Sequence, residues 1–102
     1  MSVRLKVRAT ARQREFLISG AFTAADEDAF YPVFVQARRQ AEPEIVFNLS
    51  GCPAMDDAAA GMLLVIYHEA RARGISCSIR GASPAVKKYL TERKFGDLYL
   101  FC

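Results

Sequence analysis

A short and almost wholly apolar run near the middle of the chain is the feature that most limits its fold. Residues 44–48 read Glu-Ile-Val-Phe-Asn. Consecutive β-branched and aromatic residues, with no polar residue between them, are typical of a strand that is covered on both faces. Such strands belong to sheets flanked by helices, so the run predicts an α/β fold.

Two segments with alternating apolar and polar residues precede this strand. In residues 3–8, Val, Leu and Val alternate with Arg, Lys and Arg, which predicts a strand with one buried and one exposed face. Residues 15–20 return as a second strand that ends at Gly20 and completes a hairpin. The basic residues between Arg4 and Arg14 are therefore interpreted as the exposed face of the hairpin.

A first helix is predicted over residues 24–41. Thr23 can cap its start, acidic residues follow in its first turn, and two arginines stand in its last turn. This order of charges complements the helix dipole. Pro32 lies inside the segment and predicts either a later start or a kink.

A second helix is predicted over residues 57–73, and Gly74 stands where a helix commonly ends. Met62 and Val65 lie off its apolar stripe. They are interpreted either as packing against a neighbouring helix or as an exposed surface for a partner. The stripe itself has apolar residues at helical spacing, namely Ala60, Leu63, Tyr67 and Ala70.

The remaining residues predict a strand, a third helix and a final strand. The strand covers residues 75–80, where apolar and polar residues alternate. Ser83-Pro84 is typical of a helix start, with serine as the cap and proline at the first position. We expect this helix to end at Gly96 and the last strand to cover residues 98–101. Its apolar face is predicted to contain Val86, Tyr89 and Leu90.

The element order is therefore β-β-α-β-α-β-α-β. This order predicts an α/β domain with a mixed β-sheet and with helices packed against the sheet by right-handed crossovers. The 102 residues suffice for one core, and a content of 52% hydrophobic and 25% charged residues is that of an ordinary globular protein. A single domain is predicted to span residues 1–102.

Charge and residue chemistry argue against several classes of function. The net charge is only +3 and the basic residues are scattered, so nucleic-acid binding is not expected. His68 is the only histidine, and its charged neighbours favour a surface position. Cys52, Cys77 and Cys102 lack the spacing of a metal or redox site; Cys77 is expected in the core, and Cys102 could react if exposed. We expect no enzyme, no metal and no cofactor.

The sequence also carries no signal-peptide pattern. Its longest apolar run, residues 62–67, is too short to cross a bilayer. These features predict a cytoplasmic protein with reduced cysteines and without direct membrane insertion.

The third predicted strand and the loop after it carry a recognisable pattern. Residues 45–51 read Ile-Val-Phe-Asn-Leu-Ser-Gly, and residues 55–64 read Met-Asp-Asp-Ala-Ala-Ala-Gly-Met-Leu-Leu. This pattern resembles the STAS domain, the fold of bacterial anti-sigma factor antagonists. Residues 20–23 and 81–86 are similar to the family's turns into its first and last helices. The resemblance implies a STAS-like fold and a non-enzymatic domain that binds proteins and regulates transcription.

In the family, the loop before the central helix reads Asp-Ser-Ser/Thr-Gly, and its first hydroxyl accepts phosphate from an anti-sigma kinase. Asp56 matches the aspartate, whereas the phospho-acceptor position falls on Asp57, the next hydroxyl on Ala58 and the glycine on Ala59; Gly61 matches the family's second glycine. A serine kinase cannot phosphorylate a carboxylate in this way. Two interpretations are kept, and they do not exclude each other: Asp57 imitates part of a phosphate, and the two aspartates cap the helix and face its dipole.

The resemblance implies a partner-binding surface around the start of the 57–73 helix. An apolar helix start beside small residues would let a partner approach closely. The implied partner is an anti-sigma factor or a serine kinase, and a homodimer is also allowed. The residues expected to form the surface are Ser50, Gly51, Asp56, Asp57, Ala58, Gly61 and Met62.

Two other functions are kept as alternatives. Small single STAS domains also resemble accessory subunits of lipid-transport ABC transporters, and a chain without the switch serine suits a constitutive subunit. A small-molecule sensor or an enzyme that uses the same loop is the other alternative, because folds of this kind host many unrelated sites.

Overall fold

The helices and strands follow one another in the predicted order. The computed structural model describes residues 3–101. Within them, the strands are β1 (Arg4–Ala9), β2 (Gln13–Ser19), β3 (Glu44–Gly51), β4 (Ser76–Arg80) and β5 (Leu100–Phe101). The α-helices are α1 (Glu27–Arg39), α2 (Asp57–Ala72) and α3 (Pro84–Glu92).

The five strands form one mixed sheet in the order β1-β2-β3-β4-β5. β1 and β2 are antiparallel, and every later neighbour is parallel. The mixed sheet is therefore as predicted. Each helical crossover advances by one strand in the same direction, and right-handed crossovers of this kind place all three helices on one face of the sheet.

β3 is buried on both faces, but helices cover only one of them. Ile45 and Phe47 are fully buried in the main core. Val46 is also buried, with 3% exposure, yet it lies on the opposite face of the sheet and outside that core. Its neighbours across the sheet are Glu15 of β2 and Ser78 of β4. The apolar run therefore correctly predicted that β3 is buried. On the face without helices, the neighbours of Val46 are residues of the adjacent strands.

The first helix starts later than residue 24. A short 3-10 turn over Ala24–Asp26 comes first, and α1 begins at Glu27. Thr23 caps the 3-10 turn, and the Asp26 carboxylate accepts hydrogen bonds from the backbone amides of Thr23 and Val3, each at 2.8 Å. α1 thus begins later than predicted, but Pro32 stands inside it and not at its start.

The end of the third helix was wrongly predicted. α3 ends at Glu92, four residues before Gly96. Lys94 then adopts a left-handed backbone with φ of 64°, and a 3-10 turn follows. The Leu98 and Tyr99 amides donate back to the Phe95 carbonyl at the end of this turn, so β5 has only two residues, Leu100 and Phe101. Tyr99 is consequently buried in the core, where its hydroxyl donates to the Leu63 carbonyl at 2.6 Å.

Candidate protein-binding site at the start of α2

Asp56 is the N-cap of α2. Its Oδ1 accepts a hydrogen bond from the Ala59 amide at 2.9 Å, which is the geometry of a helix cap. Its Oδ2 accepts from the Ala24 amide at 3.1 Å. Asp56 therefore fixes the start of α2 to the turn that leads into α1.

The neighbouring Asp57 is directed toward α3. Its Oδ1 accepts hydrogen bonds from the Tyr89 hydroxyl and from Arg93 Nε at 3.0 Å, and Arg93 Nη2 lies 2.8 Å away. The Arg93 guanidinium also stacks on the Tyr89 ring, 3.5 Å from its centroid. The expectation that both aspartates cap the helix is thus met by Asp56, whereas the Asp57 carboxylate links α2 to α3.

These contacts shift the pKa values of Asp57 and Tyr89 in opposite directions. The Tyr89 hydrogen bond and the Arg93 guanidinium hold the pKa of Asp57 below its ordinary value. Partial burial and the bond to Asp57 raise the pKa of Tyr89. At neutral pH, Asp57 is an anion whose charge is compensated by Arg93, and Tyr89 is a neutral donor.

Tyr89 and Arg93 were not recognised as site residues in the sequence. Its spacing from Val86 and Leu90 predicts that Tyr89 lies on the apolar face of the third helix. Its spacing to Arg93 is i, i+4, which places both residues on one side of a helix end. A carboxylate at the usual acceptor position, followed by a helix with an arginine near its end, is the signal that could have found the pair.

A small cavity lies beside Tyr89, between the loop before α2 and the start of α3. Its volume is about 150 Å³. Its lining is formed by Pro53, Ala54, Met55, Ala85, Val86 and Tyr89. This cavity is therefore mostly apolar.

An apolar groove runs between α1 and α2 on the exposed side of the two helices. It has a volume of about 250 Å³ and includes Phe34, Tyr31 and Val65. Tyr31 is 65% exposed and Val65 is 48% exposed. Met62 is half-buried in the groove, so the two residues left open by the sequence behave differently: Met62 packs against the core, and Val65 faces outward.

Gly61 lies at the start of this surface, one turn after Ala58. A Cβ atom added at Gly61 would meet no neighbour within 4 Å. The fold of the isolated chain therefore leaves room for a side chain at this position. Because glycine has no side chain, the protein surface is recessed beside the exposed Ala58.

Ser50 and Gly51 occupy a different place from the α2 residues, at the end of β3. The Ser50 hydroxyl donates to Asn48 Oδ1 at 2.6 Å. A Cβ at Gly51 would come within 2.9 Å of Ser19 Oγ, so the glycine allows β3 to approach β2. The predicted set of seven residues thus falls into a group on α2 and a pair tied to the sheet.

The described cysteines have the properties of core residues. Burial raises the pKa of the Cys52 thiol, and that of Cys77 to about 11. A nucleophilic thiol requires the opposite shift. Cys102 lies outside the described residues. His68 is exposed, as expected.

Residues 3–101 lack the features of two other kinds of site. Within this range, no group of three or more histidine, cysteine, aspartate or glutamate side chains could hold a metal ion. None of the helices described is long and apolar enough to cross a membrane.

Comparisons with known structures find the same fold in regulatory and transport proteins. The phosphorylated form of SpoIIAA from Bacillus, an anti-sigma factor antagonist, has a TM-score of 0.75 at 17% identity, over 97% of this chain and 91% of that chain. A candidate anti-sigma factor antagonist from Thermotoga maritima has a TM-score of 0.86 at 12% identity, over 95% and 84%. A sulfate transporter family protein from Wolinella succinogenes has a TM-score of 0.76 at 17% identity, over 94% and 80%.

At these identities the structural likeness is one of fold. A search of curated proteins found no match. The sequence model of the STAS domain matches residues 5–101. Since this match covers almost all of the described residues, the chain belongs to the STAS domain family.

Proposed function

We propose that the chain is a non-enzymatic, cytoplasmic protein-binding domain of the anti-sigma factor antagonist type, with a partner that contacts the start of α2. The observation that carries the proposal is the charge of Asp57 and its pairing with Arg93. This residue occupies the family's phospho-acceptor position, and its carboxylate is paired with Arg93 beside an exposed apolar surface. The domain binds its partner without a phosphorylation switch at this position.

The pairing with Arg93 argues against Asp57 as a full imitation of phosphate. A phosphoserine carries about −1.5 to −2 charges and three acceptor oxygens at neutral pH. Asp57 carries one charge, and Arg93 compensates it at 2.8 Å. A partner therefore meets a surface with little net charge at this point, as it would at an unphosphorylated serine.

The contact surface is formed by the exposed side of α2 and the adjoining residues of α1. Val65 and Tyr31 supply exposed apolar and aromatic area, which is typical of the centre of a protein interface. Ala58 has a small side chain and Gly61 has none, so a partner's backbone can approach α2 closely at these positions. The partner class that fits the family is an anti-sigma factor or a serine kinase.

A constitutive subunit of an ABC transporter is the second candidate function. It is favoured by the run Asp-Ala-Ala at residues 57–59, which has no hydroxyl to phosphorylate. The fold is also similar to that of a sulfate transporter family protein. The identity of the partner distinguishes the two candidates.

The test is affinity capture of the tagged protein from its native cytosol and membranes, followed by mass spectrometry. Val65→Asp places a charge on the proposed surface, and Leu100→Asp is the matched control, because Leu100 is 69% exposed on β5. The proposal predicts an anti-sigma factor or serine kinase that is captured by the native chain and by Leu100→Asp but lost with Val65→Asp.

Other outcomes separate the candidates. An ABC nucleotide-binding subunit that is lost with Val65→Asp supports the second candidate function. A partner that both variants capture equally well contradicts the assigned surface. If a kinase is recovered, the variant Asp57→Ser restores a hydroxyl at the acceptor position and is expected to become its substrate.

A further inference from the structure

The outermost strand of the sheet carries three cations in one row. Arg4, Lys6 and Arg8 are exposed and alternate along β1, so they lie on the sheet face opposite the helices. Alternate residues of a strand are about 7 Å apart, which is also the spacing of alternate side chains on an adjacent strand. β1 is the edge of the sheet formed by residues 3–101.

The outer edge of β1 also presents backbone hydrogen-bonding groups. The Thr10 amide donates to the Gln13 carbonyl at 2.9 Å, so these two residues form a hydrogen-bonded pair of the hairpin. Bonded pairs recur at every second residue of an antiparallel ladder, and the even-numbered residues of β1 therefore bond to β2. The amides and carbonyls that face outward belong to Leu5, Val7 and Ala9.

The two sides of this edge differ in chemistry. On the helix side, Val7 is 42% exposed and Leu5 is half-buried. On the other side stand the three cations. A strand that paired with β1 would therefore meet apolar area on one face and positive charge on the other.

The uncompensated positive charge of this face lies at the edge of the sheet. Farther in, Arg80 of β4 reaches the same face, but its Nη1 lies 3.1 Å from Glu15 Oε2, which compensates its charge. The next row inward, on β2, consists of Ser19, Leu17 and the buried Glu15. Arg8 Nε lies 3.8 Å from Glu15 Oε1, so part of its charge is already compensated. Proteins that bind a membrane or a nucleic-acid backbone typically spread their cations over a surface. A single row of cations, as on β1, fits one extended polypeptide chain better.

Cations on an edge strand also hinder the pairing of two identical edges. The same charges attract a strand of opposite sign, because opposite charges across a ladder stabilise it. We propose that β1 binds an extended acidic segment of another protein as an additional strand of the sheet. Acidic side chains of that segment lie beside Arg4, Lys6 and Arg8, and its small apolar side chains lie beside Val7. This surface is independent of the one proposed on α2.

The test uses a peptide of about eight residues in which glutamate alternates with valine or threonine. Its fluorescently labelled form is titrated with the protein, and binding is followed by anisotropy. A peptide with lysine in place of glutamate is the control for charge. Vesicles that contain phosphatidylserine, and a single-stranded RNA, are titrated in parallel.

Two variants separate charge from backbone pairing. Lys6→Glu is expected to weaken binding of the acidic peptide about tenfold and to strengthen binding of the lysine peptide. Val7→Pro removes an outward amide without removing a bond to β2, and it is expected to weaken binding by a similar factor. Lys88→Glu, on the exposed side of α3, is the matched control and should leave the affinity unchanged.

The proposal is overturned if the acidic peptide does not bind, or if it binds Lys6→Glu as well as the native chain. Tighter binding of the vesicles or the RNA than of the peptide would overturn it too. If circular dichroism shows that Val7→Pro is unfolded, the affinities of Lys6→Glu for the acidic peptide and for the lysine peptide decide the question alone.

Discussion

The Asp57 carboxylate and the Arg93 guanidinium lie 2.8 Å apart and join the first residue of α2 to the residue that follows α3. A neutral serine would not attract the arginine in this way. With aspartate in its place, the position carries a permanent charge that is compensated inside the chain. This contact places a compensated charge, and no hydroxyl, at the start of the surface proposed for the partner.

The two adjacent aspartates are expected to differ in their effect on stability. Asp56→Ala removes the cap of α2 and the bond to Ala24, and it should lower the free energy of unfolding by about 0.5–2 kcal/mol. Asp57→Ala is the matched control, and it should lower it by less, because Asp57 is 81% exposed. Urea denaturation measures both, and equal losses would contradict the assignment of the cap to Asp56.

The protonation of Asp57 gives a pH-dependent test. Its pKa in the folded chain is expected below the ordinary value of 3.8, chiefly through the Tyr89 hydrogen bond and then through Arg93. A carboxyl with a lowered folded-state pKa stabilises the fold above its unfolded pKa, and this contribution is lost as the pH falls through the folded value. The Arg93→Gln variant should raise the pKa of Asp57, as followed by carbon-13 NMR titration of the carboxyl. An unchanged midpoint would show that the ion pair does not form in solution.

Substitution of Gly61 should affect stability and partner binding in opposite directions. Gly61→Ala is expected to raise the free energy of unfolding by about 0.5–1 kcal/mol, because alanine favours a helix interior and the added Cβ meets no neighbour within 4 Å. The same variant should weaken the partner complex, since the methyl group lies on the surface proposed for the partner. Thermal unfolding measures the first effect and calorimetric titration the second; a partner that binds Gly61→Ala as well as the native chain would exclude Gly61 from the contact.

Tyr99 tests the core beneath the site. Tyr99→Phe removes the hydrogen bond to the Leu63 carbonyl and should lower the free energy of unfolding by about 0.5–1.5 kcal/mol. Tyr31→Phe is the control, because Tyr31 is 65% exposed, and its effect should stay within about 0.5 kcal/mol. Urea denaturation compares the two, and a larger effect at Tyr31 would contradict the packing described.

The fold was largely predictable because its patterns are local. The alternation in β1 and the apolar stripe of α2 each depend on neighbouring residues, and the residues of that stripe are buried or half-buried as predicted. The end of α3 was missed, because the left-handed residue is Lys94, a residue type with no particular preference for that backbone conformation. The sequence also did not show which residues surround Val46, because Glu15 and Ser78 are far from it in the sequence.

The candidate site was less predictable for a related reason. The sequence located Asp56 and Asp57 at the start of a helix, but it did not distinguish a cap from an ion pair. Arg93 stands 36 residues after Asp57, and only the packing of α3 beside α2 brings them together. The fold and the family follow from the sequence, whereas the partner surface on α2 stays a prediction.

Calorimetric titration of the purified partner against the native chain and the variants Val65→Asp and Leu100→Asp tests the central claim most directly. The account predicts that Val65→Asp weakens the complex by about tenfold or more, because it buries a charge in an apolar contact. Leu100→Asp should bind like the native chain. Equal affinity of the native chain and Val65→Asp would contradict the assignment of the partner surface to α2.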